Sequence, residues 1–110
     1  MLNQEVNLVI DVEIYQQTQN NIIKHLQALS HQSSSSPIQA NIYTTNFSDQ
    51  APVRQLKVAY HFNTEEQLGL YLHKVIKPFY HHLENNFNNL IQVKYQTFEL
   101  MQSFSNTQYC

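Results

Sequence analysis

In Leu56-Lys57-Val58-Ala59-Tyr60-His61-Phe62-Asn63-Thr64-Glu65-Glu66-Gln67-Leu68 the hydrophobic period changes within a single short stretch. Leu56, Val58, Tyr60 and Phe62 alternate with Lys57, Ala59 and His61, the period of two that marks a strand with one buried face. Thr64 followed three residues later by Gln67 is a capping-box pattern, and Glu65 and Glu66 in the first turn suit the helix dipole. Leu68, Leu72, Val75, Ile76, Phe79, Leu83 and Phe87 then hold one apolar face for about five turns. Pro78 interrupts this run without changing its phase. A proline removes a backbone donor and clashes one turn back, so the pattern predicts one long helix kinked near Pro78.

Upstream, Ile38, Ala40 and Ile42 alternate, and Ser48-Asp49-Gln50-Ala51-Pro52 is a connecting turn, so two strands form a hairpin. Ser30 to Pro37, with four consecutive serines, is a loop between elements. Before it, Ile22, Ile23, Leu26 and Leu29 fall at helical spacing, with Thr18 as the expected N-cap. The opening segment Val6, Leu8, Ile10, Val12 and Ile14 has the alternation and β-branched content of a half-buried strand. Downstream, Ile91, Val93 and Tyr95 alternate with Gln92, Lys94 and Gln96. After Thr97 the apolar side switches to Phe98 and Leu100, which a β-bulge explains, as does a strand end paired with a second subunit. The order strand, helix, strand, strand, helix, strand defines an α+β class, ferredoxin-like βαββαβ. Its expected form is a four-stranded antiparallel sheet with two helices on one face. Residues 1–101 are expected to form a single domain, with a frayed tail at 102–110.

The totals agree with one small globular domain. The chain has 110 residues, 42% of them hydrophobic, enough to bury about 60–70% of the unfolded surface. Net charge is −2, and the six lysines and arginines are scattered, so no cationic face for a phosphate backbone exists and nucleic acid is not an expected partner. No apolar run approaches the roughly 18 residues of a membrane span, so no membrane partner is expected. Met1-Leu2-Asn3-Gln4-Glu5 has no signal-peptide character, and the single cysteine, Cys110, has no partner for an internal disulfide. A cytoplasmic location is the expectation. Asn46-Phe47-Ser48 matches a glycosylation sequon by chance on that reading.

Placing the buried face of the strands under the helices leaves the opposite face with Val9, Asp11, Glu13, Tyr43, Lys57, His61 and Lys94. Asp11, Tyr43, His61 and Lys94 are the candidate ligand-binding residues. Asp11 and His61 fall on strands expected to be neighbours, and a carboxylate orienting an imidazole is a common acid–base pair. The plainer reading is a solvated sheet face, as antiparallel sheets often have. Metal binding is not expected. His73, His81 and His82 on the second helix, and His25 and His31 near the first, include no histidine pair at i, i+3 or i, i+4 spacing. No nucleophile elbow or phosphate-cradling glycine loop occurs, since Gly69 is the sole glycine and lies within a helix. Phe79, Tyr80 and Phe87 lie on or beside the apolar helix face and are assigned to the core. No cofactor is expected.

From Leu8 to Met101 the chain resembles small domains of the dimeric α+β-barrel superfamily, which includes antibiotic-biosynthesis-type monooxygenases and haem-degrading enzymes. The resemblance is carried by Val9-Ile10-Asp11-Val12-Glu13-Ile14, by Val58-Ala59-Tyr60 leading into Thr64-Glu65-Glu66, and by Tyr71, Pro78 and Phe87. Asn88-Asn89 stands where that pattern has a glycine turn, and Tyr95 where it has an arginine. The resemblance implies a homodimer formed through the sheets. Haem degradation in such relatives uses a helix histidine, a role open to His73, but also tryptophan, which this chain lacks. With no catalytic constellation, the expected function is a non-catalytic domain acting through dimerisation or contact with a protein partner. One alternative is a small-ligand binder or cofactor-independent oxygenase using a cavity between the two sheets. Another is a phage-type inhibitor of a host enzyme.

Overall fold

The computed structural model describes residues 2–28, 37–44, 52–87 and 90–102. Strand β1 (Leu2–Asp11) leads through a single 3-10 turn (Val12–Ile14) into α1 (Tyr15–Ala28). Then come β2 (Gln39–Thr44), β3 (Val53–Phe62), α2 (Glu65–Tyr71), a π-helical turn (Leu72–Ile76), α3 (Lys77–Phe87) and β4 (Ile91–Glu99). The strands form one sheet in the order β2-β3-β1-β4, every neighbouring pair antiparallel. This is the expected ferredoxin-like arrangement. The serine run, the Ser48–Ala51 part of the hairpin turn, Asn46, Asn88-Asn89 and Cys110 lie outside the described residues.

Burial alternates without a break along β1, and Val6, Leu8 and Ile10 are essentially inaccessible. They face Val58, Leu56 and Arg54 on β3 and Tyr95, Val93 and Ile91 on β4. The helices close this face. Tyr15 and Ile22 of α1, Leu68 and Tyr71 of α2, Ile76 of the π turn, and Tyr80 and Leu83 of α3 join the same buried cluster. Each such side chain contributes roughly 1.5–3 kcal/mol of transfer free energy, so the covered face holds the fold together.

Four local expectations are corrected. First, β1 ends at Asp11 and does not run to Ile14. The Asp11 carboxylate accepts the Glu13 backbone N–H at 2.9 Å, which turns the chain into the 3-10 segment. Second, Thr18 is not an N-cap. It lies inside α1, fully buried, with its hydroxyl donating to the Ile14 carbonyl at 2.8 Å. A threonine whose hydroxyl bonds four residues back is tolerated within a helix, which is why its capping preference misleads here.

Third, the apolar switch after Thr97 is not a bulge. The β1–β4 register is continuous from Ile10↔Ile91 to Leu2↔Glu99, and Phe98 turns to the uncovered face opposite Asn3. Fourth, the phase of the long helix does change: a π turn precedes Pro78, and Tyr71 and Tyr80 are buried where regular spacing had placed Leu72 and Phe79. The Lys77 N–H donates to the Leu72 carbonyl, five residues back. Widening the helix just before the ring is a known way to relieve its clash with the preceding turn. The start of this helical run is as expected. Thr64 is extended, and its hydroxyl accepts the Gln67 N–H at 3.1 Å.

Gly69 sits inside α2, and a methyl group added there meets nothing within 4 Å. Gly69→Ala is therefore expected to raise stability by roughly 0.5–1 kcal/mol through reduced unfolded-state entropy. Thr64→Ala is expected to lower it by about 1 kcal/mol through loss of the cap. Urea unfolding of the two variants checks both signs.

Candidate functional site

The uncovered sheet face is built by the odd-numbered residues of β1, and register sets what stands beside what. One row crosses all four strands: Tyr43 on β2 is opposite Lys57 on β3, Lys57 is opposite Asn7 on β1, and Asn7 is opposite Lys94 on β4. The Lys57 ammonium lies 5.0 Å from the Tyr43 ring centroid and 3.8 Å from a Glu5 carboxylate oxygen. Both contacts are solvent-accessible and contribute little to stability, about 1 kcal/mol or less each. Beside this row is a pocket of about 360 Å³ lined chiefly by Asn7, Val9, Tyr43, Thr44, Gln55 and Lys57.

Of the four candidate residues, Tyr43 and Lys94 share this row, about 14 Å apart across three strand spacings. Asp11 and His61 do not meet. Asp11 pairs with Val53 at one end of the β1–β3 ladder and His61 with Asn3 at the other. Eight residues along the strands separate them by about 27 Å. Adjacent antiparallel strands put residues near each other only where the register matches, so strand neighbourhood alone was not enough. His61 is held instead by two amides. Its Nδ1–H donates to Asn3 Oδ1, and its Nε2 accepts from Asn41 Nδ2 at 3.3 Å. With both ring nitrogens occupied, the imidazole is fixed as the Nδ1–H tautomer.

A second polar arrangement lies on the covered side, and sequence reasoning missed it. His25 of α1 reaches the Tyr60 hydroxyl of β3 at 3.1 Å, and Tyr60 reaches the Tyr80 hydroxyl of α3 at 2.8 Å. Tyr60 and Tyr80 are fully buried, so an undonated hydroxyl proton here is costly. Only one direction leaves no hydroxyl proton undonated among the described residues: Tyr80 donates to Tyr60, and Tyr60 donates to His25 Nε2. His25 then carries its proton on Nδ1. Its ring stacks on Phe79, centroids 4.0 Å apart and planes within 9°.

Burial lowers the His25 pKa from 6.5 to about 4, so the imidazole is neutral near pH 7. Burial also raises the Tyr60 and Tyr80 hydroxyls well above their ordinary range, keeping both protonated. Tyr71, pushed up to about 12 by burial, packs against Phe62 and Tyr60, and its hydroxyl has no hydrogen-bond partner among the described residues. The phase of Tyr60 with Val58 and Phe62 put it on the covered face in the sequence. The signal for His25 was its position between Ile22 and Leu26, on the buried side of α1. Among the described residues no three His, Cys, Asp or Glu side chains gather as metal ligands do, and no helix is long and apolar enough to cross a membrane.

No protein-family model matches this sequence, and no curated protein matches it. Solved structures do match. One is a Deinococcus radiodurans protein described as an antibiotic biosynthesis monooxygenase, with TM-score 0.72 and 10% identity over 97% of this chain and 99% of that one. Another is SnoaB, a cofactor-independent oxygenase from Streptomyces nogalater, with TM-score 0.59 and 9% identity over 96% and 98%. A third is LFR1 1, a de novo designed protein with ferredoxin fold, with TM-score 0.53 and 15% identity over 99% and 96%. At these identities the likeness establishes the fold, a ferredoxin-like arrangement.

The buried imidazole makes stability depend on pH. Between about pH 6.5 and 4 the unfolded chain binds a proton at His25 that the folded chain does not. Stability is therefore expected to fall as pH drops through that window and, as far as His25 is concerned, to stay level above it. Urea midpoints measured from pH 7.5 to pH 4 should show a shallower fall in His25→Phe than in the parent chain.

Proposed function

We propose that this chain binds a small organic molecule on its uncovered sheet face, enclosed there by a second copy, with chemistry of the cofactor-independent oxygenase class. The observation that carries the reading is the Tyr43–Lys57–Asn7–Lys94 row beside a concave, partly apolar pocket. It combines an aromatic ring, an amide and two cations, the few placed polar groups that orient a ligand in an apolar site. Oxygenation without a cofactor needs a substrate that loses a proton and becomes the reductant of dioxygen. What the protein must supply is stabilisation of that anion and exclusion of water. Lys57 and Lys94 suit the first requirement. Asp11 and His61 lie outside this pocket, at opposite ends of the β1–β3 ladder, and take no part in the reading.

A second copy suits the second requirement. The uncovered face carries Glu5 and Asp11 against Lys57 and Lys94, so two copies meet without net repulsion. Val53, Leu90 and Phe98 expose apolar surface on this side. Four strands of this length span about 600 Å², near the roughly 800 Å² per partner of a stable complex. The likeness to SnoaB and to the Deinococcus protein supports the ligand-binding reading over a non-catalytic contact domain.

Native mass spectrometry of the full chain purified from its own source is expected to give a dimer carrying an extra small mass. Lys94→Met and Tyr43→Ala should each weaken retention of that mass about tenfold, the loss expected for one charge-assisted or stacking contact, while circular dichroism stays unchanged. A bare monomer at micromolar concentration would remove this reading. A bare dimer would return the chain to a non-catalytic dimerisation role, and a mass retained equally by both variants would remove the Tyr43–Lys94 row as its site.

A further inference from the structure

Between α1 and α3, away from the uncovered sheet face, lies a groove of about 400 Å³ lined by Asn21, Lys24, His25, Phe79, His82, Leu83 and Asn86. Its volume is in the range of small-molecule sites. His25 belongs both to this groove and to the buried chain beneath it. Because the Tyr80–Tyr60 pair consumes the Nε2 lone pair, the imidazole keeps its proton on Nδ1. That N–H has no acceptor among the described residues. The ring cannot swivel to satisfy it, since it is stacked on Phe79 and tied to Tyr60.

The His25 ring, its Nδ1–H unpaired among the described residues, thus lines a groove shared with the Lys24 ammonium, the His82 ring and the amides of Asn21 and Asn86. Among the described residues no acidic side chain lines it, and Phe79 and Leu83 supply apolar wall. Donors without a competing carboxylate select an acceptor-rich, negatively charged group. The apolar wall selects a hydrocarbon body attached to it.

We propose that this interhelical groove is a second small-molecule site, independent of the sheet face, that binds a small organic carboxylate with its oxygens on His25 Nδ1–H and Lys24. The buried tyrosines act as positioning residues. Tyr80 orients Tyr60, and Tyr60 sets the His25 tautomer so that a donor, not a lone pair, meets the ligand.

The test is a titration of the full, isotope-labelled chain with benzoate as the carboxylate and benzyl alcohol as its neutral counterpart, followed by histidine side-chain and backbone NMR. Saturable shifts are expected at the His25 Nδ1 resonance and at Asn21, Lys24 and Asn86 with benzoate, and at least tenfold weaker binding of benzyl alcohol. Lys24→Met with His82→Asn, both on exposed positions, should weaken benzoate binding about tenfold or more without unfolding the chain. In Tyr60→Phe the freed Nε2 should change the His25 tautomer signature, and benzoate should bind more weakly.

Three results overturn the proposal. One is no saturable shift up to about 10 mM benzoate. Another is equal affinity in the Lys24→Met/His82→Asn variant. The third is shifts confined to Tyr43, Lys57 and Lys94, which would place the carboxylate on the sheet face instead.

Discussion

The ten-pair antiparallel ladder between β1 and β3, from Leu2↔Phe62 to Asp11↔Val53, is the constraint on which the rest depends. Side chains alternate with a period of two, so this one register decides which half of each central strand is buried. Even-numbered residues of β1 go under the helices, and odd-numbered ones form the uncovered face. A slip of one residue would send Val6, Leu8 and Ile10 to solvent and bury Glu5, Asn7 and Asp11. The cost of that exchange, several buried aliphatic side chains and buried carboxylates, leaves no competing register. The Tyr43–Lys57–Asn7–Lys94 row and the distance between Asp11 and His61 both follow from it.

On the covered side, aliphatic packing is interrupted by a few polar groups that bond to one another. Gln4 is buried, and its amide donates to the Gln96 carbonyl while accepting from the Thr97 hydroxyl at 2.6 Å. These bonds tie β1 to β4 where β4 runs out to the sheet edge. Tyr60, Tyr80 and His25 form the other such group, joining β3, α3 and α1. A satisfied buried network narrows the ways a core can pack, because alternative packings strand its donors. The π turn before Pro78 has a related consequence. One extra residue in that turn resets the helix phase, so that Ile76, Tyr80 and Leu83 face the sheet after Leu68 and Tyr71.

The two proposed binding surfaces sit on opposite sides of one sheet. The uncovered face has cations, amides and an aromatic ring spread over a broad area, suited to enclosure by a second copy. The helix layer has a narrow groove whose histidine is anchored from below. Both use residues placed by regular elements, which hold geometry more tightly than loops do.

What the sequence by itself determined was the element order and the buried face of the strands. Alternation in β1, β3 and β4, the Thr64–Gln67 cap and the apolar run through α2 and α3 depend on neighbours a few residues away, and short-range patterns report such neighbours directly. It also placed Tyr43 and Lys94 correctly on the uncovered face. Only the tertiary structure decided which of those residues meet. Asp11 and His61 share a face yet stand about 27 Å apart, because pairing between strands distant in sequence is set by the whole ladder and not by either segment. Thr18 was likewise decided by its bond to the Ile14 carbonyl, and the proline by a π turn. The His25–Tyr60–Tyr80 chain joins residues 35 and 20 positions apart, a separation over which no local period carries information.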